Sequence, residues 1–408
     1  MAYKVYKIAY FTIEDISSGL FKTQVLNKLA AISKKNKNYS IDLICINRPW
    51  KLLSHINTLF MCRNFIRQNN ININIIYIPF MLPLRNALKS LIYTKFVKFY
   101  LYIWLVILRI KRYKLIHVRS YLPMFSLSNF NHKNLIFDTR SIWIDENIST
   151  GDLIEGSTVH KYLLGEERKC LISANQICVV SKPMIQHYEN KVKNLAINLI
   201  PISFDQGSFS FDVLKRQSIR SKYQLENSYV FVYLGSFGQS GVNTQSLIKL
   251  FNSILKIDNS KLLLLTAENN KTVSNLLGKI EADTSKVILI EPTFSEISGY
   301  LSAADIGLHA LPNQIDSDSR LGTKVIEYLA CGLPVIVNEN VGAASRLLLE
   351  NRLGSVINLD SNLTHYQEAL KELIGLNRSA IEDFAVKNFS STKIADDYLR
   401  IYLKALKG

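Results

Sequence analysis

Two doubly wound α/β domains are what this sequence predicts, and three observations lead there. Its 408 residues suffice for two domains of ordinary size, each with its own core. Short apolar runs alternate with helical patterns along the chain, as parallel sheets with crossover helices require. Charge divides the chain as well: residues 1–200 carry 28 Lys and Arg against 11 Asp and Glu, net +17, whereas residues 201–408 carry 21 against 22, net −1. A content of 48% hydrophobic and 20% charged residues belongs to a soluble globular protein. Cys45, Cys62, Cys170, Cys178 and Cys331 include no C-x-x-C pair and are odd in number, which argues for a reducing compartment and against structural zinc. The N-terminus has no run long enough for a signal-peptide core, so a cytoplasmic location is expected.

The alternation begins with KIAYFTI, the loop Glu14–Gly19 and the helical pattern Leu20–Ile32. Ser17, Ser18 and Gly19 form a small-residue turn at which backbone can approach a phosphate or sugar, although it is no G-x-G-x-x-G fingerprint. IDLICI (41–46) and INIIYIP (73–79) read as further strands, with helical material including Leu52–Ile66 between them. Leu91–Lys114 is the most hydrophobic segment, yet its longest uncharged run, Phe99–Leu108, is ten residues, about half of the ~20 that a spanning helix needs. It fits a packing helix of the first sheet, or a helix that also rests an aromatic, basic face on a bilayer. Between Asp42 and Asp138 there is no acidic residue and there are fourteen Lys and Arg. Such a one-sided field implies an anionic partner, nucleic acid or an anionic membrane face. KLIHVRSYLP (114–123) and NLIFDTRSIWIDE (134–146) are strands running straight into polar residues. Ligand crevices of doubly wound sheets lie at the carboxyl ends of the strands, so His117, Arg119, Asp138 and Arg140 are the candidates for chemistry in this half. A lone His at a strand end is more often structural than catalytic; crevice-lining charges require partners.

EERKCLISANQICVVSK (166–182) reads as a helix into a strand, followed by LIPISFD (199–205) and the polar stretch Gln206–Asn227. YVFVYL opens the second half as a buried strand, then the loop Gly235–Gly241, in which Gly235, Gly238 and Gly241 allow close backbone approach to a ligand. LLLLT (262–266) and VILIEP (287–292) continue the strands, and ISGYLSAADIGLHALP (297–312) gives a helix and a strand ending near His309. The stretch DSDSRLGTKVIEYLACGLPVIVNENVG (316–342) follows. Arg320 and Lys324 stand four apart where loop becomes helix, Thr323 has the chemistry of a cap, Glu327 follows Lys324 by three, and Gly332 ends the helix before LPVIV leaves as a strand. A helix start exposes unpaired N–H groups and the positive end of its dipole, so with two cations beside it the spot suits a diphosphate. Glu327, one turn further in, can accept two hydrogen bonds from a vicinal diol such as ribose. Anion site and diol acceptor together suggest a nucleoside diphosphate; taken singly, Lys324 and Glu327 also fit an ordinary surface ion pair. Asp316-Ser-Asp318 precedes a basic residue and reads as loop chemistry, not as a metal site. Ala343–Asn351, then GSVIN (354–358), then a helical tail complete the chain.

Lys324, Glu327, Tyr328, Leu329, Ala330, Gly332, Pro334, Val335 and Ile336 fit K-x-x-E-Y-[LM]-A-x-G-x-P-V-I. On these residues the chain resembles the family 4 glycosyltransferases of the GT-B superfamily. HVRSYLP (117–123) and DTRSIWIDE (138–146) resemble a branch that builds bacterial surface polysaccharides, and LIPISFD resembles the family's linker edge. The resemblance implies two Rossmann-like doubly wound domains facing a cleft: 1–205 for the acceptor, 206–385 for the nucleotide sugar, and a helix over 386–408 packing back on the first. It implies retaining transfer from a nucleoside diphosphate sugar, with no cofactor and no metal, to a glycan or polyprenyl-diphosphate-linked acceptor in capsule, O-antigen or other lipopolysaccharide synthesis. The expected place is peripheral, on the inner face of the cytoplasmic membrane, without nucleic acid as a partner. Donor candidates are Gly235, Ser236, Arg320, Thr323, Lys324 and Glu327; acceptor candidates are Ser18, Gly19 and Arg140; catalytic candidates are Arg119, Asp138 and His117. The chain departs from the pattern at Ser319, where the family places a glutamate, and at Arg119, where many relatives have the second histidine of H-x-H. It also lacks the usual Arg and Lys after the glycine loop, so Arg320 and Lys324 are expected to neutralise the diphosphate. Three rival readings remain open: a nucleotide-sugar 2-epimerase of GT-B fold, a basic nucleic-acid-binding protein, and an inactive transferase.

Overall fold

A computed structural model describes residues 5–80, 88–237 and 244–407, so Gly238 and Gly241 of the glycine loop lie outside the described residues. The chain divides into two compact units, Met1–Pro201 with Ser391–Gly408, and Ile202–Ser390.

The first unit holds a parallel sheet of β1 (Tyr6–Thr12), β2 (Tyr39–Asn47), β3 (Ile73–Pro79), β4 (Leu115–Arg119), β5 (Leu135–Asp138), β6 (Gln176–Val179) and β7 (Ile197–Leu199) in the order β3-β2-β1-β4-β5-β6-β7. The order reverses between β1 and β4, and ligands of doubly wound sheets bind outside the strand ends at such a switch point. Its strands are short continuous apolar runs because helices cover the sheet, and Ile8, Tyr10, Ile41, Leu43 and Leu115 are buried. The terminal helix Ser391–Lys407 belongs to this unit and turns Ile394, Tyr398, Ile401, Tyr402 and Ala405 into its core at helical spacing. Between Gly19–Phe21 and Asn27–Lys35, the expected helix over Leu20–Ile32 contains a π-helical turn at Lys22–Leu26. Two short elements escaped sequence reading: β7, within what read as the run-up to a linker, and the Val213–Lys222 helix within the polar stretch of the second half.

The second unit repeats the plan with β8 (Tyr229–Leu234), β9 (Ser260–Leu265), β10 (Val287–Ile290), β11 (Ile306–His309), β12 (Val335–Asn338) and β13 (Gly354–Ile357), ordered β10-β9-β8-β11-β12-β13. Strand alternation sends Val230, Val232 and Leu234 into one core and Phe231 and Tyr233 into the other. Asp305, just before β11, is clamped by Arg216 at 2.6 Å and Arg220 at 3.2 Å, and it also accepts from the Val230 N–H. This anchors the amino ends of the two strands at the switch point.

Candidate active site

Parallel register in the first unit sets Arg119 beside Asp138 at the carboxyl ends of β4 and β5. The backbone just beyond each is in the left-handed region without being glycine: Ser120 has φ 92° and Arg140 φ 63°. Such conformations cost about 1–3 kcal/mol each and persist where the surroundings over-determine them. Ser120 is held by donating its N–H to the Asp138 carbonyl at 3.0 Å.

The Asp138 carboxylate is fully buried and accepts from the Tyr398 hydroxyl at 2.7 Å and from His117 Nε2 at 3.4 Å, with Lys28 Nζ at 3.8 Å and Arg140 at 3.6 Å. Burial pushes its pKa up, but Arg140, the His117 hydrogen bond and Lys28 together hold it well below the usual carboxylate range. Lys28 donates to the Tyr10 hydroxyl at 2.9 Å and lies over the Tyr398 ring. Burial lowers the ammonium's pKa strongly, with Asp138 opposing. Burial likewise lowers His117, despite Asp138, to about 4. The neutral ring then donates from Nε2 to Asp138, and Nδ1 accepts from the Tyr402 hydroxyl at 2.8 Å. His117, expected among the catalytic candidates, thus has both ring nitrogens engaged within the protein and no exposed surface. Arg119 differs from it. One terminal nitrogen donates to Glu14 at 3.1 Å, while Nε and the other terminal nitrogen are buried with no hydrogen-bond partner among the described residues. A buried guanidinium with orphan donors is prepared for an anionic group. Of the acceptor candidates, Ser18 caps the first helical turn by accepting from the Phe21 N–H at 3.0 Å, and Gly19 begins it with open space where a Cβ would stand.

In the second unit the helix Thr323–Ala330 is preceded by Gly322 at φ 76°, with no side-chain cap. Thr323, expected as the cap, is instead the first helical residue; the cap position is glycine because a Cβ there would lie 2.8 Å from His309 Nε2. The helix start is therefore open, with its first-turn N–H groups beside Arg320 and Lys324. Arg320 donates through Nε to the buried Asp316, and Lys324 pairs with Glu327 at 3.0 Å. Asp318 pairs with Arg346 at 2.6 Å, and Ser319 closes the turn by donating to the Asp316 carbonyl at 2.8 Å. Among the described residues no group of three or more His, Cys, Asp or Glu is placed to hold a metal ion. His309 sits under this turn, its Nε2 buried and without a hydrogen-bond partner among the described residues; burial first, then Arg320 and Lys324, lower it to about 4. Tyr328 fixes the strand ends on which the site rests: its hydroxyl accepts from the Leu234 N–H at 2.8 Å and donates to the Leu308 carbonyl at 3.3 Å. Gly235 follows at φ 152°, and the Ser236 carbonyl accepts from the Tyr233 hydroxyl at 2.9 Å. Asn338 holds Leu311 by two hydrogen bonds, at 2.9 and 2.8 Å, and so fixes the loop before the helix.

Lys28, Tyr398, Tyr402, Glu14 and Asn338 were not singled out from the sequence. Lys28 alone left a signal, a lysine in register with Phe21, Val25 and Ile32 on the apolar side of a helix.

Residues 228–375, which span β8 to the helix after β13, match the family model described as glycosyl transferases group 1. The second unit carries a glycosyltransferase domain. None of the curated proteins compared shows a significant sequence match. Among solved structures, the chain is similar to sucrose-phosphate synthase from Thermosynechococcus elongatus, with 15% identity, 98% of this chain and 99% of that one covered, and a TM-score of 0.69. It is similar to HepE from Anabaena, solved in complex with UDP, with 13% identity, 97% and 98% covered, and a TM-score of 0.64. A third is WaaG, a glycosyltransferase involved in lipopolysaccharide biosynthesis, at 14% identity, 98% of each chain covered and a TM-score of 0.59. At such identities the likeness speaks for the fold, which is GT-B, with Rossmann-like units of seven and six parallel strands. The family model over residues 228–375 and the GT-B fold together support a glycosyltransferase, and the open helix start lies inside the matched region.

Proposed function

We propose that this transferase moves a sugar, with retention and without a metal, from a nucleoside diphosphate sugar bound on the second unit to a lipid-linked glycan acceptor held by the first, in surface-polysaccharide synthesis at the inner membrane face. The observation that carries this is the uncapped start of the Thr323–Ala330 helix, flanked by Arg320, Lys324 and His309. The leaving diphosphate gains charge as the glycosidic bond breaks, and first-turn N–H groups, the Thr323 hydroxyl and the two cations are aimed where that charge grows. Glu327 takes the ribose diol, and Gly235 with Ser236 brings the β8 loop close to the donor. HepE was solved with UDP-glucose, which supports a donor of this kind, and WaaG acts in lipopolysaccharide biosynthesis, which supports the setting. In the first unit Arg119 and Arg140 hold the acceptor, while Asp138 and His117 position those cations.

Membrane attachment rests on the Leu91–Ile107 helix. It buries Thr94, Val97, Leu101 and Leu105, yet Ile92, Phe96, Phe99, Ile103 and Val106 on its other side are exposed. At 17 residues it is too short to cross, and among the described residues no helix is long and apolar enough to do so. An exposed apolar stripe in a segment rich in Lys and Arg and free of acids matches an anionic bilayer surface.

The test is a thermal-shift panel of UDP, GDP, CDP and ADP with their sugar conjugates, on wild type and Glu327→Ala. A nucleotide at 100 times its Kd adds about 2.7 kcal/mol. One base is expected to raise the midpoint, and the effect is lost in the variant. No response to any of them overturns the donor assignment. Epimerisation of the donor without any acceptor would replace transfer by the 2-epimerase reading.

A further inference from the structure

Two adjoining cavities lie within the first unit, and both are lined by Ile13, from the end of β1, and by Leu122, just beyond β4. They differ in chemistry. The first, about 160 Å³, is walled by Val97, Phe125, Trp143 and Leu163, and its one strong cation, Lys98, is neutralised by the buried Glu166. Thr94, Asn147, Asp152 and Tyr162 also line it, but its surface is mostly apolar, and a cavity of this size takes a benzene-sized group. The second, about 310 Å³, is polar, lined by Asp15, Asn47, Arg48 and Lys51. Lys51 is paired with Asp15 at 2.6 Å, and His55 also bonds Asp15 at 3.0 Å. Arg48 has no carboxylate partner among the described residues; its guanidinium packs only over the Trp50 ring. The second cavity therefore keeps a positive charge that an anion would compensate.

A mostly apolar chamber next to a cationic one is complementary to an anionic amphiphile. The wall between the apolar chamber and the surface is the Leu91–Ile107 helix, which turns Thr94, Val97 and Lys98 inward and its exposed apolar stripe outward. We infer that the two cavities form one site for a lipid phosphate or diphosphate, the first carbons of its chain in the apolar chamber and its phosphate at Arg48 and Lys51. This deepens the lipid-linked acceptor assignment and rests on it. It places the lipid's anionic group on residues that sequence reading had not assigned to the acceptor.

The full chain would be titrated in thermal unfolding with farnesyl diphosphate, dodecyl phosphate and inorganic diphosphate, each below any micelle concentration, on wild type, Val97→Phe and Arg48→Gln. The nucleotide identified in the donor panel serves as a second ligand. Wild type is expected to respond saturably to a lipid, at least 100-fold more tightly than to inorganic diphosphate. Farnesyl over dodecyl names an isoprenoid source, and the reverse an acyl-type chain. Filling the chamber in Val97→Phe should weaken the lipid at least tenfold, and Arg48→Gln several-fold, with the nucleotide response intact in both. If Val97→Phe fails to fold, its nucleotide response disappears as well, and the exposed Arg48 position carries the test. Equal binding by inorganic diphosphate, wild-type affinity in both variants, or no lipid response where the nucleotide still binds would overturn the site while leaving the transferase assignment standing. A lipid response without any nucleotide response supports the site and counts against the donor assignment instead.

Discussion

The two units use the same sheet topology to opposite ends. In the first, three ionisable groups at the switch point are closed inward, with Arg119 left apart from them: Asp138, Lys28 and His117 are buried and bonded to one another or to Tyr10, Tyr398 and Tyr402. In the second, the equivalent place is an open helix start with two partly exposed cations and a histidine whose Nε2 has no hydrogen-bond partner among the described residues. A closed charge cluster fixes shape, whereas an open one is held ready for a ligand. The surfaces differ in the same sense, since the net charge of +17 and the apolar stripe of Leu91–Ile107 both fall in the first half.

The largest expected effect comes from opening the closed cluster. Asp138→Ala leaves Lys28 and Arg140 near each other without their carboxylate, and breaking a buried pair costs about 3–5 kcal/mol. Urea unfolding should show the first unit lose that much, whereas Glu327→Ala in the second unit should lose nucleotide binding with little change in stability. Equal stability losses in the two variants would erase the contrast.

Next in size is the open site itself. Lys324→Ala breaks an ion pair whose carboxylate, Glu327, is buried, so some stability is lost with it. It also removes a charge-assisted hydrogen bond to the donor, about 1.5–3 kcal/mol, so kcat/KM should fall ten- to a hundredfold. Arg320→Ala likewise strands a buried carboxylate, Asp316. Unchanged kinetics in Lys324→Ala would remove diphosphate neutralisation from this helix.

These differences also explain how much of the molecule could be read from its sequence. The alternation of apolar runs gave two parallel sheets because parallel strands are buried on both faces and read as unbroken hydrophobic runs. The Lys324-x-x-Glu327 turn was legible because its parts lie within one helical turn of each other. The first unit's cluster was not. Asp138 meets Tyr398 across 260 positions and His117 meets Tyr402 across 285, and no local pattern announces such a pairing. Thr323 was misplaced by one residue because the left-handed turn at Gly322 answers to His309, which lies on another strand. β7 has three residues, too few for any period to show.

The surface contrast predicts a smaller, salt-dependent effect. Sedimentation with vesicles containing anionic lipid should pull down the chain at low salt and less at high salt. Phe96→Ser with Phe99→Ser, both exposed, should reduce binding about tenfold while leaving nucleotide affinity alone. Binding that ignores both salt and these substitutions would point to another occupant for the stripe.

The smallest effect separates the units most sharply, because each carries on a sheet strand a histidine that burial lowers to about 4, His117 and His309, while His187 of the first unit, lowered as far, titrates over the same range. An unfolded histidine titrates near 6.5, so between pH 6.5 and 4 the unfolded chain binds a proton at each site that the native chain refuses. Stability is then fully present above about pH 6.5 and falls as the pH drops towards 4. Up to three protons contribute, one of them from His187, each worth about 1.4 kcal/mol per pH unit. His117→Gln and His309→Gln should each flatten that slope by one proton. Donor nucleotide should tell the two apart. A diphosphate at the Thr323–Ala330 helix start places negative charge next to His309, raises its native pKa and removes its share of the slope. His117, enclosed in the other unit by Tyr10, Tyr398 and Tyr402, should keep its share unchanged. If nucleotide flattens both contributions or neither, the distinction between an open and a closed charge cluster does not hold.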